Sequence, residues 1–242
     1  MLKAVLFDLD NTLLGNDMET FMPPYFAAIT AFVADLVSPE AYMRDMLLGT
    51  RAVIANEAPT LTNEALFWQV FERHSSVPRQ VIEPRLEQYY RHRFGDLQQY
   101  TKPRPVAADV VAFCEQQGLQ VVIATNPLFP RLAIEQRLAW AGLAVEEHDF
   151  ALVTVFENMH AAKPSQAYYL EIIEQLGIQP KEALMVGDDW DNDIMPANRQ
   201  KIWTFWVADD EQPAPAPLQA TSRGTLDKLY SCLRSGWLES FA

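Results

Sequence analysis

Five short apolar runs limit what this chain can become. They are "AVLF" from residue 4, "LQVVIAT" from 119, "FALVTVF" from 150, "ALMVG" from 183 and "IWTFWV" from 202. They are rich in β-branched and aromatic residues, and none shows the apolar–polar alternation of a strand with one wet face. From the second run onward they alternate with segments of helical period: "VAADVVAFCEQQ", "PRLAIEQRLAWAGL" and "SQAYYLEIIEQLGI". Strands without a polar face, separated by helices, predict a doubly wound parallel sheet covered on both sides, an α/β fold. Gly118, Gly142 and Gly177 fall where helix C-caps are expected. A last helix is expected over 225–233, after a stiff "PAPAP" loop at 213–217.

One segment breaks the alternation. Residues 15–96 follow the first strand but read as helix throughout, with aromatic and Met residues at spacings of three and four. A parallel crossover needs only about a dozen residues, so a stretch of roughly 80 predicts an inserted all-helical subdomain. The expected division is a sheet domain from 1–14 and 97–242, with a helical insertion at 15–96. Within the insertion, Arg44 and Arg51 flank "DMLLGT" in an expected loop, and His74 ends a helix. These three are its candidate contacts to a substrate.

Composition narrows the partners. The net charge is −13, which argues against nucleic acid, because binding it needs a positive footprint. Any anionic substrate must then meet local cations. The apolar stretch after Lys3 is too short for a signal peptide, and no run approaches membrane-spanning length. Cys114 and Cys232 have no CxxC partner and read as reduced thiols. A cytoplasmic location is the expectation. Oligomeric state is not legible.

The chemistry is expected at the carboxyl ends of the strands, where open α/β sheets bind their ligands. The first strand ends in Asp8-Leu9-Asp10-Asn11-Thr12, the second in Thr125-Asn126, and the fourth in Gly187-Asp188, followed by Asp189, Asp191 and Asp193. Lys163-Pro164 lies between the third strand and the next helix. Taken singly, a strand-end aspartate caps a helix and a lone lysine is a surface charge. Four such features in order, each behind its own strand, point instead to a common site. Crowded carboxylates repel one another unless a cation sits among them, and Asp8 with Asp188 supplies the hard oxygens that suit Mg2+. Asp189 is expected to be solvated and Asp191 to cap the following helix.

These four stretches resemble the signature motifs of the haloacid dehalogenase-like superfamily, in family order and across the whole core. The helical insertion is similar to that family's cap, which gives a Rossmann-like core with a helical cap. The resemblance implies a Mg2+-dependent phosphohydrolase acting on a small phosphorylated metabolite. Asp8 would be the nucleophile that forms an aspartyl-phosphate. Asp10 would be general acid and base, and a metal ligand through its carbonyl. Thr125, Asn126 and Lys163 would hold the phosphoryl oxygens, with Lys163 also neutralising charge on Asp8. Asp188 would bind the metal, and Asp193 would support the site from behind. The dehalogenases that name the superfamily lack an aspartate at the position of Asp10, so Asp10 favours phosphate chemistry. Asn11 stands where many members carry Gly. A phosphomutase on a sugar phosphate uses the same residues. From other classes, a phospho-acceptor signalling domain and a catalytically silent binding protein remain as alternatives.

Overall fold

The computed structural model describes residues 1–56, 60–209, 212–213, 215 and 220–241. The first apolar run becomes β1 (Ala4–Phe7), buried at every position. The chain then passes through the two-residue strand β2 (Leu14–Gly15) into α1 (Met18–Phe32), α2 (Pro39–Ile54), α3 (Asn63–His74) and α4 (Arg79–His92). A 3-10 turn over Phe94–Tyr100 leads to β3 (Lys102–Pro103) and back to the core. Core elements follow in alternation: α5 (Val106–Gln116), β4 (Gln120–Ile123), α6 (Arg131–Trp140), β5 (Phe150–Val153), α7 (Gln166–Leu176), β6 (Ala183–Gly187), α8 (Met195–Arg199), β7 (Trp203–Val207), β8 (Ser222–Gly224) and α9 (Leu226–Arg234).

Six strands form one sheet in the order β5-β4-β1-β6-β7-β8, every pair parallel. The two-residue strand period explains its two dry faces. Val5 and Phe7, with Val121, Leu184 and Phe205, pack into one apolar cluster with α5 and α9. Ala4 and Leu6, with Val122 and Met185, pack into a second cluster with α7. The chain begins at β1, runs outward through β4 and β5, then returns to β6 on the other side of β1. The winding therefore reverses at β1, and the crevice such a reversal leaves is where these sheets bind ligands.

The helical segment shares the core's first cluster rather than building a separate one. Phe21, Tyr25, Trp68, Ile82 and Tyr89 belong to it together with Phe94, Phe129 and Leu138. Phe94 is fully buried at the join and stacks on Trp140 of α6, ring centroids 5.5 Å apart. Side-chain caps define the helix starts: Asp17, Ser38 and Thr62 accept from backbone N–H groups of α1, α2 and α3. The two crossings between core and helices are tied together, because β2 pairs antiparallel with β3, Leu14 opposite Pro103 and Gly15 opposite Lys102.

Some local expectations are corrected. "DMLLGT" is not a loop: it lies inside α2, where Gly49 faces α3 so closely that an added Cβ would come within 2.6 Å of the Phe67 ring. A glycine in mid-helix reads as a break, but here it permits close helix packing. β8 was not foreseen, because "SRG" is short, half-exposed and carries no apolar pattern. Gly118, Gly142 and Gly177 do sit at helix ends with left-handed φ of 73°, 76° and 65°. The "PAPAP" stretch lies largely outside the described residues. Among the described residues, no helix is long and apolar enough to cross a membrane.

The aromatic join gives a stability prediction. Phe94→Ala leaves a cavity between the helical segment and α6 and should lower unfolding free energy by about 3–5 kcal/mol. Urea denaturation of the variant against the parent protein measures it; a loss under about 1 kcal/mol would mean the join does not carry this packing.

Candidate active site

Three neighbouring strands bring the site together. The ladder that pairs Phe7 with Ile123 and Val186 continues one step past the strand ends: Asp8 N donates to Val186 O (2.9 Å) and Ala124 N to Phe7 O (2.7 Å). Asp8, Thr125 and Asp188 therefore follow adjacent strands at one level of the sheet. Together with Asp10, Asn126, Lys163 and Asp193 they line a cleft of about 320 Å3. Asp8, Asp10, Thr125, Asn126, Lys163, Asp188 and Asp193, the core residues expected at the site, all border this cleft.

Lys163 is the hub. It comes from the loop after β5 and is 2% exposed. Its Nζ donates to Asp8 Oδ1 at 2.8 Å and to Asp193 Oδ1 at 2.6 Å. Burial works against its ammonium, but Asp193 and Asp8 outweigh it and hold the pKa well above the usual lysine value. The other oxygen of Asp193 accepts from Asp189 N at 3.1 Å. That places the Asp193 carboxylate directly over Gly187, where a Cβ would lie 2.2 Å from it. No larger residue fits at Gly187. Thr125 is fixed from behind: Thr154 Oγ1 and Tyr168 Oη both donate to its carbonyl, at 2.7 and 2.9 Å. Asn126 Oδ1 accepts from Lys163 N at 3.3 Å.

Asp188 accepts from Asn11 Nδ2 (2.9 Å) and Thr12 Oγ1 (3.2 Å). Asn11 has a left-handed φ of 60°, a region that Asn enters more readily than most residues. Unlike Gly, it also reaches Asp188 with its amide and accepts from Arg104 at 3.1 Å. Burial, then the negative charge of Asp8, pushes the Asp188 carboxyl up to about 6. Burial also raises Asp8, with Lys163 opposing.

The donor set fits a hard divalent cation. Carboxylate oxygens of Asp8, Asp188 and Asp193 lie within 4.8 Å of one another. The oxygens of Asp193 accept from Lys163 and Asp189 N, those of Asp188 from the neutral groups of Asn11 and Thr12, so only Asp193 and Asp8 are already paired with the buried ammonium. Raised carboxyl groups facing one another are the crowding a cation relieves.

Asp10 is held in a way the motif does not reveal. Its Oδ2 accepts from Arg137 at 2.5 Å and its Oδ1 from Asn16 at 2.6 Å. Arg137 is fully buried on α6, with its guanidinium 4.5 Å from the centre of the Phe129 ring. Its Nε and Nη2 have no hydrogen-bond partner among the described residues. A signal was present: in "PRLAIEQRLAW", position 137 continues the buried stripe of Ala133, Ile134 and Leu138, so a charge there needs a buried partner. Asn16 carried no such signal.

Other candidates lie elsewhere. Arg44 pairs with buried Asp45 in α2, and neither Arg51 nor His74 borders the cleft. The helix cap in the aspartate cluster is Asp189, not Asp191. Asp189 Oδ1 accepts from the N–H groups of Asp191 and Asn192, and Asp191 is exposed. The turn starts two residues earlier than expected, as a π-type turn over Trp190–Ile194.

Residues 2–199 match the family model described as haloacid dehalogenase-like hydrolase. The chain is 27% identical over 211 residues to a glyceraldehyde 3-phosphate phosphatase of Methanopyrus kandleri, spanning 86% of this chain and 84% of that protein. It is 24% identical over 202 residues to phosphoglycolate phosphatase 1 of Pseudomonas aeruginosa, spanning 81% of this chain and 65% of that one. Its fold is similar to that of a 2-haloacid dehalogenase from Pseudomonas syringae pv. Tomato DC3000, with TM-score 0.66 and 19% identity, covering 98% and 100% of the two chains.

The Asp188 carboxyl gives a pH prediction. A carboxyl raised from 3.8 to about 6 binds its proton more tightly in the folded state. The metal-free protein should therefore lose stability as pH rises across that window. Asp188→Asn removes the effect and should be the more stable form near neutral pH, by on the order of 1 kcal/mol after allowing for partial solvent exposure. Its advantage should vanish as pH falls toward 4. Thermal melts in EDTA across this range measure it, and a variant less stable than the parent at neutral pH would contradict the electrostatics.

Proposed function

Because the chain belongs to the haloacid dehalogenase-like hydrolase family, we propose that it is a Mg2+-dependent phosphohydrolase of small phosphomonoesters, working through an aspartyl-phosphate on Asp8. The observation that carries this reading is the Asp8–Lys163–Asp193 bridge beside Asp10 and Asp188 in one cleft. Both relatives described above are phosphatases by name, which supports phosphate chemistry. Asp10 supports it against haloacid chemistry, because phosphoester cleavage needs a proton donor for the leaving oxygen.

Phosphoryl transfer asks a protein mainly for positioning and for neutralisation of oxygen charge. Lys163 fixes Asp8 and places a cation where the phosphoryl oxygens come to rest. Thr125 and Asn126 border the same space. Asp8 and Asp188, with the Asp10 carbonyl, would hold Mg2+, which neutralises substrate charge when bound. Asp193 orients Lys163 from behind. An Asp8 oxygen bonds to phosphorus while the bond to the leaving oxygen breaks, and that oxygen takes a proton from Asp10. Asp10 then accepts a proton from water as the water oxygen bonds to phosphorus and the Asp8–phosphorus bond breaks. Asp10 accepts hydrogen bonds on both oxygens from Arg137 and Asn16, the pose of a base waiting for water. The acid step requires its carboxyl to turn from Arg137 toward the leaving oxygen.

We assign residues 15–96 to a cap and 1–14 with 97–242 to the catalytic core. Asn16, Asp17 and Met18 border the cleft alongside the strand-end residues, which supports a cap that closes the site from its first turn. Water exclusion would then be its task. Free Cys114 and Cys232 support a cytoplasmic setting.

Three measurements test the reading. Turnover of p-nitrophenyl phosphate should disappear in EDTA and return with Mg2+; full activity without metal overturns the metal assignment. Asp8→Asn should be inactive and yield no phosphoenzyme. Asp10→Asn should be slower by two to four orders of magnitude (roughly, per proton-transfer step). With an aryl phosphate it should still accumulate a phosphoryl mass on the peptide containing Asp8, seen by rapid-quench mass spectrometry. A label on any other residue overturns the assignment of the nucleophile.

A further inference from the structure

A second space of about 640 Å3, twice the size of the catalytic cleft, lies beside it. Helices α1 to α4 wall it, and the loop after β4 with Phe156 forms its floor. Met22, Phe26, Met46, Phe67, Trp68 and Leu86 face it. The two spaces adjoin, because Met18, Leu128 and Phe129 line both. One loop serves the pair: Thr125 and Asn126 border the cleft, and Leu128 and Phe129, just beyond, border the chamber as well.

The chamber's charges are mutually engaged. Arg91 pairs with Glu87 at 2.6 Å, and the Arg131 side chain lies 3.4 Å from Glu135. Glu64 and Glu83 both pair with Arg79, at 3.1 and 2.7 Å. Glu157 accepts the Arg131 backbone N–H at 3.0 Å. Four glutamates (Glu64, Glu83, Glu87 and Glu157) line the space against Arg91 and Arg131, with Arg79 as the partner of two of them, so a second anionic group on a substrate would meet a small net negative charge. The hydroxyls of Tyr25 and Tyr90, 2.8 Å apart, offer one neutral polar spot on the wall.

We propose that this chamber receives the alcohol half of the phosphomonoester, and that this alcohol is uncharged and apolar, alkyl or aryl. The proposal rests on the phosphohydrolase reading above and names its substrate class. The volume falls within the range that holds a drug-sized apolar body, about the size of an eight-carbon chain or two aryl rings. The join at Leu128 and Phe129 lets the phosphate sit at Asp8 while the apolar body lies among the aromatic rings. Short hydroxy acids are disfavoured twice: they leave apolar walls uncovered, and they bring a carboxylate to an acidic rim.

The test has two arms. With Mg2+, initial rates are compared for n-alkyl phosphates from ethyl to decyl, p-nitrophenyl phosphate and phosphoglycolate. The expected result is a kcat/KM that rises about threefold per methylene up to about octyl, with phosphoglycolate below the longer alkyl esters. The second arm needs no turnover: calorimetric binding of ethyl- and octylphosphonate to the wild type and to Thr50→Trp, whose ring would fill the chamber from α2. Octyl should bind far more tightly than ethyl in the wild type, and the ratio should collapse in the variant. Turnover of ethyl and p-nitrophenyl phosphate without chain-length dependence, or with phosphoglycolate preferred, overturns the chamber proposal and leaves the hydrolase standing. Octylphosphonate preference without turnover of any ester supports the apolar chamber and overturns the hydrolase reading instead.

Discussion

One buried lysine organises the centre of this molecule. An ammonium with almost no access to water persists only if negative charge surrounds it. Lys163 meets that condition with two carboxylates from different parts of the chain, Asp8 behind β1 and Asp193 behind β6. Each partner imposes a further demand. Asp193 must lie over Gly187, which excludes any side chain there, and the turn that carries it must be capped by Asp189. Asp8 must leave β1 level with the ends of β4 and β6, which the parallel register provides. Removing either carboxylate leaves the buried ammonium with one partner instead of two, so Asp8, Lys163 and the turn that carries Asp193 are coupled.

The second carboxylate of the first motif belongs to another arrangement. Asp10 points to Arg137 and Asn16 rather than to Lys163. The two aspartates sit two residues apart but answer to different cations, Lys163 from the loop after β5 and Arg137 from α6. Such divergent surroundings let like groups take unlike roles. Arg137 gains part of its accommodation from the Phe129 ring. That same ring is shared by the cleft and the apolar chamber. What binds in the chamber is therefore one ring away from the group that sets Asp10.

The core was legible because its signal is repeated. Five apolar runs gave five strands of the large sheet, and the ends of β1, β4 and β6 supplied the polar residues that the parallel register then gathered. β8 escaped because a three-residue edge strand with a glycine has no hydrophobic pattern. "DMLLGT" was expected in a loop but lies in α2, where the missing side chain of Gly49 is what allows the helix to approach Phe67. Asp191 was preferred to Asp189 as a cap because a π-type turn shifts the helix start. Arg137 was visible in principle as a charge inside an apolar stripe, but its partner Asp10 lies 127 positions away. Long-range pairings of this kind depend on how layers stack, which local periodicity does not encode. The apolar chamber is the same case: its residues read correctly as helical apolar faces, and only the packing of four helices reveals that they enclose space.

The narrow ribbon of β2 and β3 has a consequence for how such a protein can diversify. Because Gly15 and Lys102 are paired neighbours, everything between them leaves and rejoins the sheet at a single spot. To the core, the whole helical segment is equivalent to the tip of one hairpin. Its outer parts can change in length and helix count without moving the splice point, whereas Asn16 against Asp10 and Phe94 against Trp140 tie its two ends to the core. A change of that kind stays within one uninterrupted stretch of chain, and the frame into which it is spliced keeps its strand register.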